Sequence, residues 1–129
     1  MNLEKLKKLG AVKIGFLGGF ILIVAFIAAD QIVVHAFDPT GRYGDKIIMY
    51  GTNTCSYCAR LRKCFSKSKI MYEEKNINSS ILAGLEFTAL KARGVPVVVV
   101  GEDVVYGYGI KKLNQVLSKS NRKLLCKEI

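Results

Sequence analysis

Apolar positions form one long stretch near the N-terminus and several short runs after it. Residues 14–29 are sixteen consecutive positions without a charged or strongly polar side chain. A membrane-spanning helix needs about 20 apolar residues. Residues 11–12 extend the stretch at one end, because Lys13 can carry its ammonium group to the lipid surface, and residues 32–34 extend it at the other. The pattern predicts one transmembrane helix within residues 1–37.

A cleaved signal peptide is the alternative for this segment. The start is basic, and Val34-His35-Ala36 resembles a small-residue processing site. A helix buried in a soluble core does not fit, because the remaining chain is too short to surround a helix that is apolar on every face. In a retained anchor, His35 lies at the membrane interface.

Lysines near the apolar stretch predict its orientation. Four precede it: Lys5, Lys7, Lys8 and Lys13. Arg42 and Lys46 follow it, but they are mixed with acidic residues at 30, 38 and 45. Positive residues concentrate on the cytoplasmic side of membrane proteins. We therefore expect a cytoplasmic N-terminus and a periplasmic or extracellular remainder, or secretion if the leader is removed.

Short apolar runs and turn residues predict the elements that follow. Residues 38–45 carry one Pro and two Gly, which is typical of a linker. Lys46–Gly51 is a short apolar run and is predicted as a buried strand. Cys55–Ser68 is predicted as a helix with Thr54 as its N-cap. The weak alternation of Ile70–Glu73 predicts a second strand.

The next predicted helix begins after Asn78 or Ser79, runs to about Ala92 and ends at Arg93-Gly94. Four apolar residues are expected on its buried side: Ile81, Leu82, Leu85 and Leu90.

Two more strands and a helix complete a predicted domain over residues 46–118. Val97–Val100 is fully apolar, and Val104–Tyr106 returns after a turn, which predicts a hairpin. The last helix has its apolar positions at Ile110, Leu113, Val116 and Leu117. The tail, residues 119–129, is polar and basic and is expected to fray.

The element order β-α-β-α-β-β-α indicates an α/β fold. A right-handed crossover pairs the first two strands in parallel, and the hairpin adds antiparallel strands on the other side. We expect a four-stranded mixed sheet flanked by helices.

Residues 38–129 contain sixteen Lys and Arg against eight Asp and Glu, a net charge of +8. The charges are scattered and carry no nucleic-acid motif, so we expect a solvated basic face and no nucleic-acid partner. Attraction to an anionic membrane surface or to acidic thiol partners stays open.

Cys55-Ser56-Tyr57-Cys58 places two thiols at the predicted start of a helix. A free cysteine with a pKa of about 8.5 is mostly protonated at neutral pH, and Cys-X-X-Cys placement lowers such values to about 3.5–7.5. Cys55 is therefore the predicted nucleophile. Cys58, one turn later, can attack a mixed disulfide at Cys55 and release the partner. Three nearby cations add positive charge: Arg60, Arg62 and Lys63.

Pro96 precedes the third predicted strand. By itself it reads as a proline that starts a strand. Together with the cysteine pair, a cis Val95–Pro96 bond is favoured, since cis proline makes a tight bend. The Val95 backbone would then be free to bind an extended substrate.

The four cysteines permit other interpretations. They are the minimum for a Cys₄ zinc site, or the first pair could be a structural disulfide. No second Cys-X-X-Cys is present, so redox exchange is favoured and no metal is predicted. Cys64 is read as a small buried hydrophobe rather than a third redox thiol. Cys126 is read as an idle tail residue rather than a surface thiol that is glutathionylated or cross-linked.

Three segments give the chain a resemblance to glutaredoxins, within the thioredoxin-fold superfamily: Tyr50–Cys58, Arg93–Pro96 and Val105–Gly109. The resemblance implies a thioredoxin-like sheet, with Cys55 as nucleophile, Cys58 as resolving thiol and Pro96 as cis proline. It implies that Tyr57 shapes the groove and that Thr52, Val95 and Gly107 contact substrate.

The function this implies is disulfide exchange with proteins or glutathione mixed disulfides, by a monomer without a tightly bound cofactor and with glutathione as a possible co-substrate. Glutathione-using members usually carry a Lys or Arg where this chain has Thr52, and an acid near Gly109 that is absent here. Two alternatives stay open: an iron–sulfur carrier, and a non-catalytic adaptor with the same fold.

Overall fold

The computed structural model describes residues 3–127, and the side chains of all of these except 3, 5–9, 11 and 12. The chain divides between residues 36 and 37 into two compact units.

The described part of the first unit lies in one helix, α1 (Leu3–Phe37), whose last residue belongs to the second unit. Its segment Lys13–Phe37 is long and apolar enough to cross a membrane. Large apolar side chains are exposed along it, including Phe16 and Phe26 at 78% and 79% of their surface. By length and composition a signal sequence passes the same test, so both predicted alternatives remain.

The second unit is built on a four-stranded sheet. Its strands are β1 (Ile47–Gly51), β2 (Glu73–Asn76), β3 (Val97–Val100) and β4 (Asp103–Tyr106). They lie in the order β2-β1-β3-β4, with β1 and β2 parallel and the other pairs antiparallel. The predicted mixed, thioredoxin-like sheet is confirmed.

Three helices cover the sheet: α2 (Ser56–Lys67), α3 (Ile81–Ala89) and α4 (Ile110–Ser118). Strand side chains alternate between faces, so Met49 packs with residues of α2 and α4, whereas Tyr50 packs with residues of α3. The buried side of α4 is the predicted one, with Ile110, Leu113, Val116 and Leu117 all buried.

The second strand begins later than predicted, at Glu73 instead of Ile70. Ile70 lies just beyond the end of α2 and is buried. Its amide donates a hydrogen bond to the carbonyl of Phe65, within α2. Tyr72 stacks on Phe65 with ring centroids 4.5 Å apart, while Met71 is 89% exposed. The alternating apolar residues thus belong to a loop that packs on α2.

The third helix, α3, is shorter than predicted, and it buries a different set of residues. Ser80 is its N-cap, where Asn78 or Ser79 was expected, and it ends at Ala89 instead of Ala92. Ile81 and Leu82 are exposed, whereas Glu86 is fully buried. The predicted buried side is thus confirmed for Leu90 and wrong for Ile81 and Leu82, while Leu85 is half-buried. Ala83, Glu86 and Ala89 take the buried positions instead.

The tail does not fray over its described part, residues 119–127. Leu124 is buried, and its amide donates to Asn114 Oδ1 over 2.7 Å. Cys64 and Cys126 form a disulfide with Cα atoms 5.8 Å apart. Cys64 is buried as predicted, but it is a bonded cysteine, and Cys126 is not an idle residue.

Candidate active site

The sulfur of Cys55 caps the N-terminus of α2. Cys55 is in an extended conformation, and its Sγ accepts a hydrogen bond from the Cys58 amide over 3.1 Å. The predicted N-cap, Thr54, was wrong by one residue. An amide at a helix N-terminus and the partial positive charge there both stabilise an anion. The geometry therefore favours a thiolate at Cys55 when the pair is reduced.

The two sulfurs of the Cys-X-X-Cys unit are joined in a disulfide, with Cα atoms 5.2 Å apart. Cys55 is half-buried, while Cys58 is fully buried. A Cβ added at Gly51 would lie 3.2 Å from Cys58 Sγ, so glycine at the end of β1 leaves room for the inner sulfur. An external thiol or disulfide can thus approach Cys55 but not Cys58.

The Val95–Pro96 segment lies beside the sulfur of Cys55, the more exposed of the two cysteines. Its peptide bond is cis, the isomer expected. Cys55 Sγ lies 3.8 Å from the Val95 carbonyl oxygen. The Gly107 amide donates to the Pro96 carbonyl over 2.8 Å and holds the segment against the end of β4. Among residues 3–127 the Val95 amide and carbonyl have no backbone hydrogen-bond partner.

A groove of about 640 Å³ runs beside these atoms. Its lining residues come from four segments: Tyr57, Lys91, Arg93–Pro96 and Tyr106–Tyr108. The Tyr57 and Tyr108 rings lie 6.1 Å apart, and the Tyr106 hydroxyl donates to the Leu90 carbonyl over 3.0 Å. The groove is therefore lined by aromatic rings and by the Val95 backbone, whose carbonyl contacts Cys55 Sγ.

Residues 47–105 match the family model for glutaredoxin. Residues 47–105 are a glutaredoxin-family domain. No curated protein sequence matches the chain.

Solved structures agree with this assignment of the glutaredoxin domain. The thioredoxin-like protein BC3987 is 27% identical over 56% of this chain and 100% of its own, with a TM-score of 0.53. NrdH-redoxin from Escherichia coli is 23% identical over 54% and 92%, with a TM-score of 0.51. A buckwheat glutaredoxin–glutathione complex is 19% identical over 79% and 94%, with a TM-score of 0.51. NrdH-redoxin and the buckwheat glutaredoxin are less than 25% identical to this chain, so they support the fold alone.

The glutaredoxin domain brings most of the sequence-predicted site residues together. Cys55 and Cys58 are bonded, Val95 lies beside them, and Tyr57, Pro96 and Gly107 line the groove. The cysteine pair on a redox fold supports thiol–disulfide oxidoreductase chemistry.

Thr52 lies apart from the groove lining. Its carbonyl accepts from the Cys55 amide and from Arg62 Nη2, the latter over 2.9 Å. Arg62 also forms an ion pair with Glu74 at 2.6 Å, and this hydrogen-bonded contact raises the pKa of Arg62. The charge of Arg62 is thus compensated by Glu74 and is not directed at the sulfurs. Arg60 lies over the Tyr57 ring, 5.6 Å from its centroid.

Lys91 and Tyr106 are groove residues that sequence reasoning did not select. Lys91 follows α3 with a positive φ of 52°, and Tyr106 ends β4. No local motif marks Lys91, which reaches the groove only because α3 ends beside the β3–β4 hairpin. Tyr106 lies within Val105–Gly109, one of the segments that carry the family resemblance, but it was given no role there.

No group of three or more His, Cys, Asp or Glu side chains suited to a metal ion occurs within residues 3–127.

Proposed function

We propose that the chain is a thiol–disulfide oxidoreductase in which Cys55 is the nucleophile and Cys58 the resolving thiol. The observation that carries the proposal is the position of Cys55 Sγ. It caps α2, is bonded to Cys58 and lies 3.8 Å from the Val95 carbonyl.

Reduction of a partner disulfide takes two steps. The Cys55 thiolate attacks one partner sulfur, the partner S–S bond breaks, and the leaving thiolate takes up a proton. Cys58 then loses its proton and attacks Cys55 Sγ, which forms the Cys55–Cys58 disulfide and releases the second partner thiolate. Two electrons pass from the dithiol to the partner, and the reverse sequence oxidises a dithiol partner.

The groove supports this chemistry by holding the partner chain extended. The Val95 amide and carbonyl, which have no backbone partner among residues 3–127, can bond a partner backbone in the manner of an added strand. The Tyr57 and Tyr108 rings flank the partner cysteine. The inner position of Cys58 leaves Cys55 as the sulfur that a partner meets first. The proposed partners are protein disulfides and glutathione mixed disulfides, with glutathione as a co-substrate.

We place the redox domain on the non-cytoplasmic side of a membrane, anchored by α1. The lysines before the apolar stretch support this orientation. The Cys64–Cys126 disulfide supports it independently, because disulfides persist in oxidising compartments and are rare in the cytosol.

The reaction is tested with single cysteine variants of the full chain in detergent, using reduction of a protein disulfide as the assay. We expect Cys55→Ser to reduce turnover to the background rate, because no sulfur remains for the first step. We expect Cys58→Ser to accumulate a mixed disulfide at Cys55, visible by mass spectrometry, because the second step is blocked.

The control is the double variant Cys64→Ser/Cys126→Ser, which lacks the second disulfide and should retain turnover. Full activity of Cys55→Ser would refute the proposed role of this residue.

A further inference from the structure

We propose that Lys91 and Arg93 make the groove selective for disulfide partners that carry acidic residues next to the reacting cysteine. The inference rests on the proposed function and specifies its substrate class: an acidic segment of a protein.

The groove lining is cationic and aromatic. Lys91 and Arg93 are its charged residues, and no carboxylate is among the lining residues described. Both side chains are exposed. A third cation, Arg60, lies over the ring of Tyr57, which is one of the groove's lining residues. An acidic partner therefore meets positive charge on entering the groove, without a competing carboxylate.

The charges of Lys91 and Arg93 are also uncompensated. Over residues 3–127, neither has an Asp or Glu oxygen within 4.0 Å. Four other cations of the domain form ion pairs: Arg42 and Lys75 with Glu86, Arg62 with Glu74, and Lys119 with Asp103. The positive charges of Lys91 and Arg93 are therefore available to a partner in the groove, like those of other unpaired cations elsewhere on the domain.

The two cations are placed to reach residues beside a bound cysteine. Arg93 and Lys91 stand two and four positions before Val95, whose carbonyl lies 3.8 Å from Cys55 Sγ. An extended partner advances about 3.3 Å per residue. The residues within a few positions of its cysteine therefore pass along this segment.

The backbone that carries Lys91 is fixed. The Lys91 amide donates to the Thr88 carbonyl over 2.9 Å, and the preceding carbonyl, of Leu90, accepts from the Tyr106 hydroxyl. The backbone position of Lys91 is therefore held by hydrogen bonds to the end of α3 and to Tyr106 at the end of β4. A cation on a defined turn loses less freedom on pairing than one on a mobile loop.

Selectivity is tested with three peptides that differ only in the residues flanking one cysteine: Glu, Gln or Lys. Each cysteine carries a mixed disulfide with 2-mercaptoethanol, and dithiothreitol supplies the two electrons that return the full-length enzyme to its dithiol form. Exposed ion pairs are individually weak. We expect kcat/KM for the Glu peptide to exceed that for the Gln peptide by about three- to tenfold at low salt, and the Lys peptide to be slowest. The preference should shrink at high salt.

The variant Lys91→Glu/Arg93→Glu should reverse the order of the peptides. The matched control is Lys67→Glu/Lys123→Glu, which makes the same change in net charge at the end of α2 and in the tail. It should keep the wild-type order. Thermal unfolding of each variant shows whether it folds.

Equal kcat/KM for the three peptides in the wild type overturns the inference and leaves the exchange reaction intact. A control variant that reverses the order as strongly as the groove variant also overturns it, because net charge would then be the cause. Failure of the proposed function is a distinct result: no exchange with any of the three peptides.

Discussion

Cys55 combines two roles in one side chain. Its backbone lies at the turn that precedes α2. Its sulfur takes the N-cap position usually held by a hydroxyl or carboxylate oxygen, and it accepts a hydrogen bond from the Cys58 amide. Sequence predicts a sulfur in the first turn of a helix. The structure places it one position earlier, at the N-cap, where it accepts a hydrogen bond from the Cys58 amide. The same hydrogen bond fixes the spacing between nucleophile and resolving residue.

Glu86 is the residue that sequence reasoning could least anticipate. It is fully buried on α3, and its carboxylate accepts from Lys75 Nζ over 2.8 Å, from the Tyr50 hydroxyl over 2.7 Å and from the Tyr43 hydroxyl. Burial alone would raise the pKa of Glu86, but these hydrogen bonds outweigh it and lower the pKa. Burial and the bond to Glu86 raise the pKa of Tyr50. Glu86 therefore stays ionised among partners that come from the linker, β1 and β2.

We expect Glu86→Gln to destabilise the domain at pH 7. Removing one member of a buried pair costs about 3–5 kcal/mol, and we expect the lower end because Lys75 is partly exposed. The folded-state pKa of Glu86 is lowered, so its stabilisation is present above the unfolded pKa of about 4.3 and is lost as the pH falls through the folded value. The difference between wild type and variant should therefore shrink at pH 3.

Urea unfolding followed by tyrosine fluorescence measures this difference, since all six tyrosines lie between residues 43 and 108. Glu102→Gln, at an exposed carboxylate, is the control and should change stability little at either pH. An equal effect of Glu86→Gln at pH 7 and pH 3 would contradict the assigned role.

Elements defined by local patterns were predicted well. β3 is four consecutive valines with the predicted bounds, and α4 buries the four residues that its spacing indicates. Elements whose buried side depends on distant partners were not. β2 pairs in parallel with β1, with Ile48 opposite Glu73. α3 buries Glu86, whose carboxylate bonds to Lys75 on β2.

The same distinction explains how much of the site could be predicted. Cys55, Cys58 and Pro96 belong to short motifs and were found from the sequence. Lys91 enters the site only through the way α3 ends beside the hairpin, and no spacing signals this.

The C-terminal tail is attached to α2 by a contact that no periodicity marks. Cys126 lies 62 residues beyond Cys64, to which it is bonded. The Leu125 amide donates to Ser68 Oγ over 2.9 Å. A disulfide that closes a long loop stabilises a fold by about 2–4 kcal/mol, chiefly by restricting the unfolded chain. A small domain thus gains a covalent connection between its active-site helix and its end.

The whole molecule joins two units with different solvent requirements. Segment Lys13–Phe37 exposes apolar side chains, whereas residues 38–129 carry a net charge of +8. A helix without a buried face is stable in lipid, where its backbone groups are satisfied internally. This contrast fits a membrane span and also a signal sequence.

We expect the full-length chain expressed in cells to stay with the membrane fraction after alkaline extraction. If thiols are blocked before lysis, Cys64 and Cys126 should be recovered as a disulfide, because the proposed location of the domain is an oxidising compartment. A soluble product that lacks the first 36 or so residues would favour the cleaved leader. Free Cys64 and Cys126 thiols in untreated cells would contradict the proposed side of the membrane.

The reactivity of the reduced cysteines tests the central claim most directly. The full-length protein is reduced in detergent and treated with iodoacetamide at pH 7, and the alkylated positions are followed over time by mass spectrometry. Only a few per cent of an ordinary thiol is ionised at this pH. We expect Cys55 to react first, roughly tenfold faster than glutathione, because the N-terminus of α2 stabilises its thiolate. A rate at Cys55 no higher than that of glutathione, or lower than that of Cys58, would contradict the account.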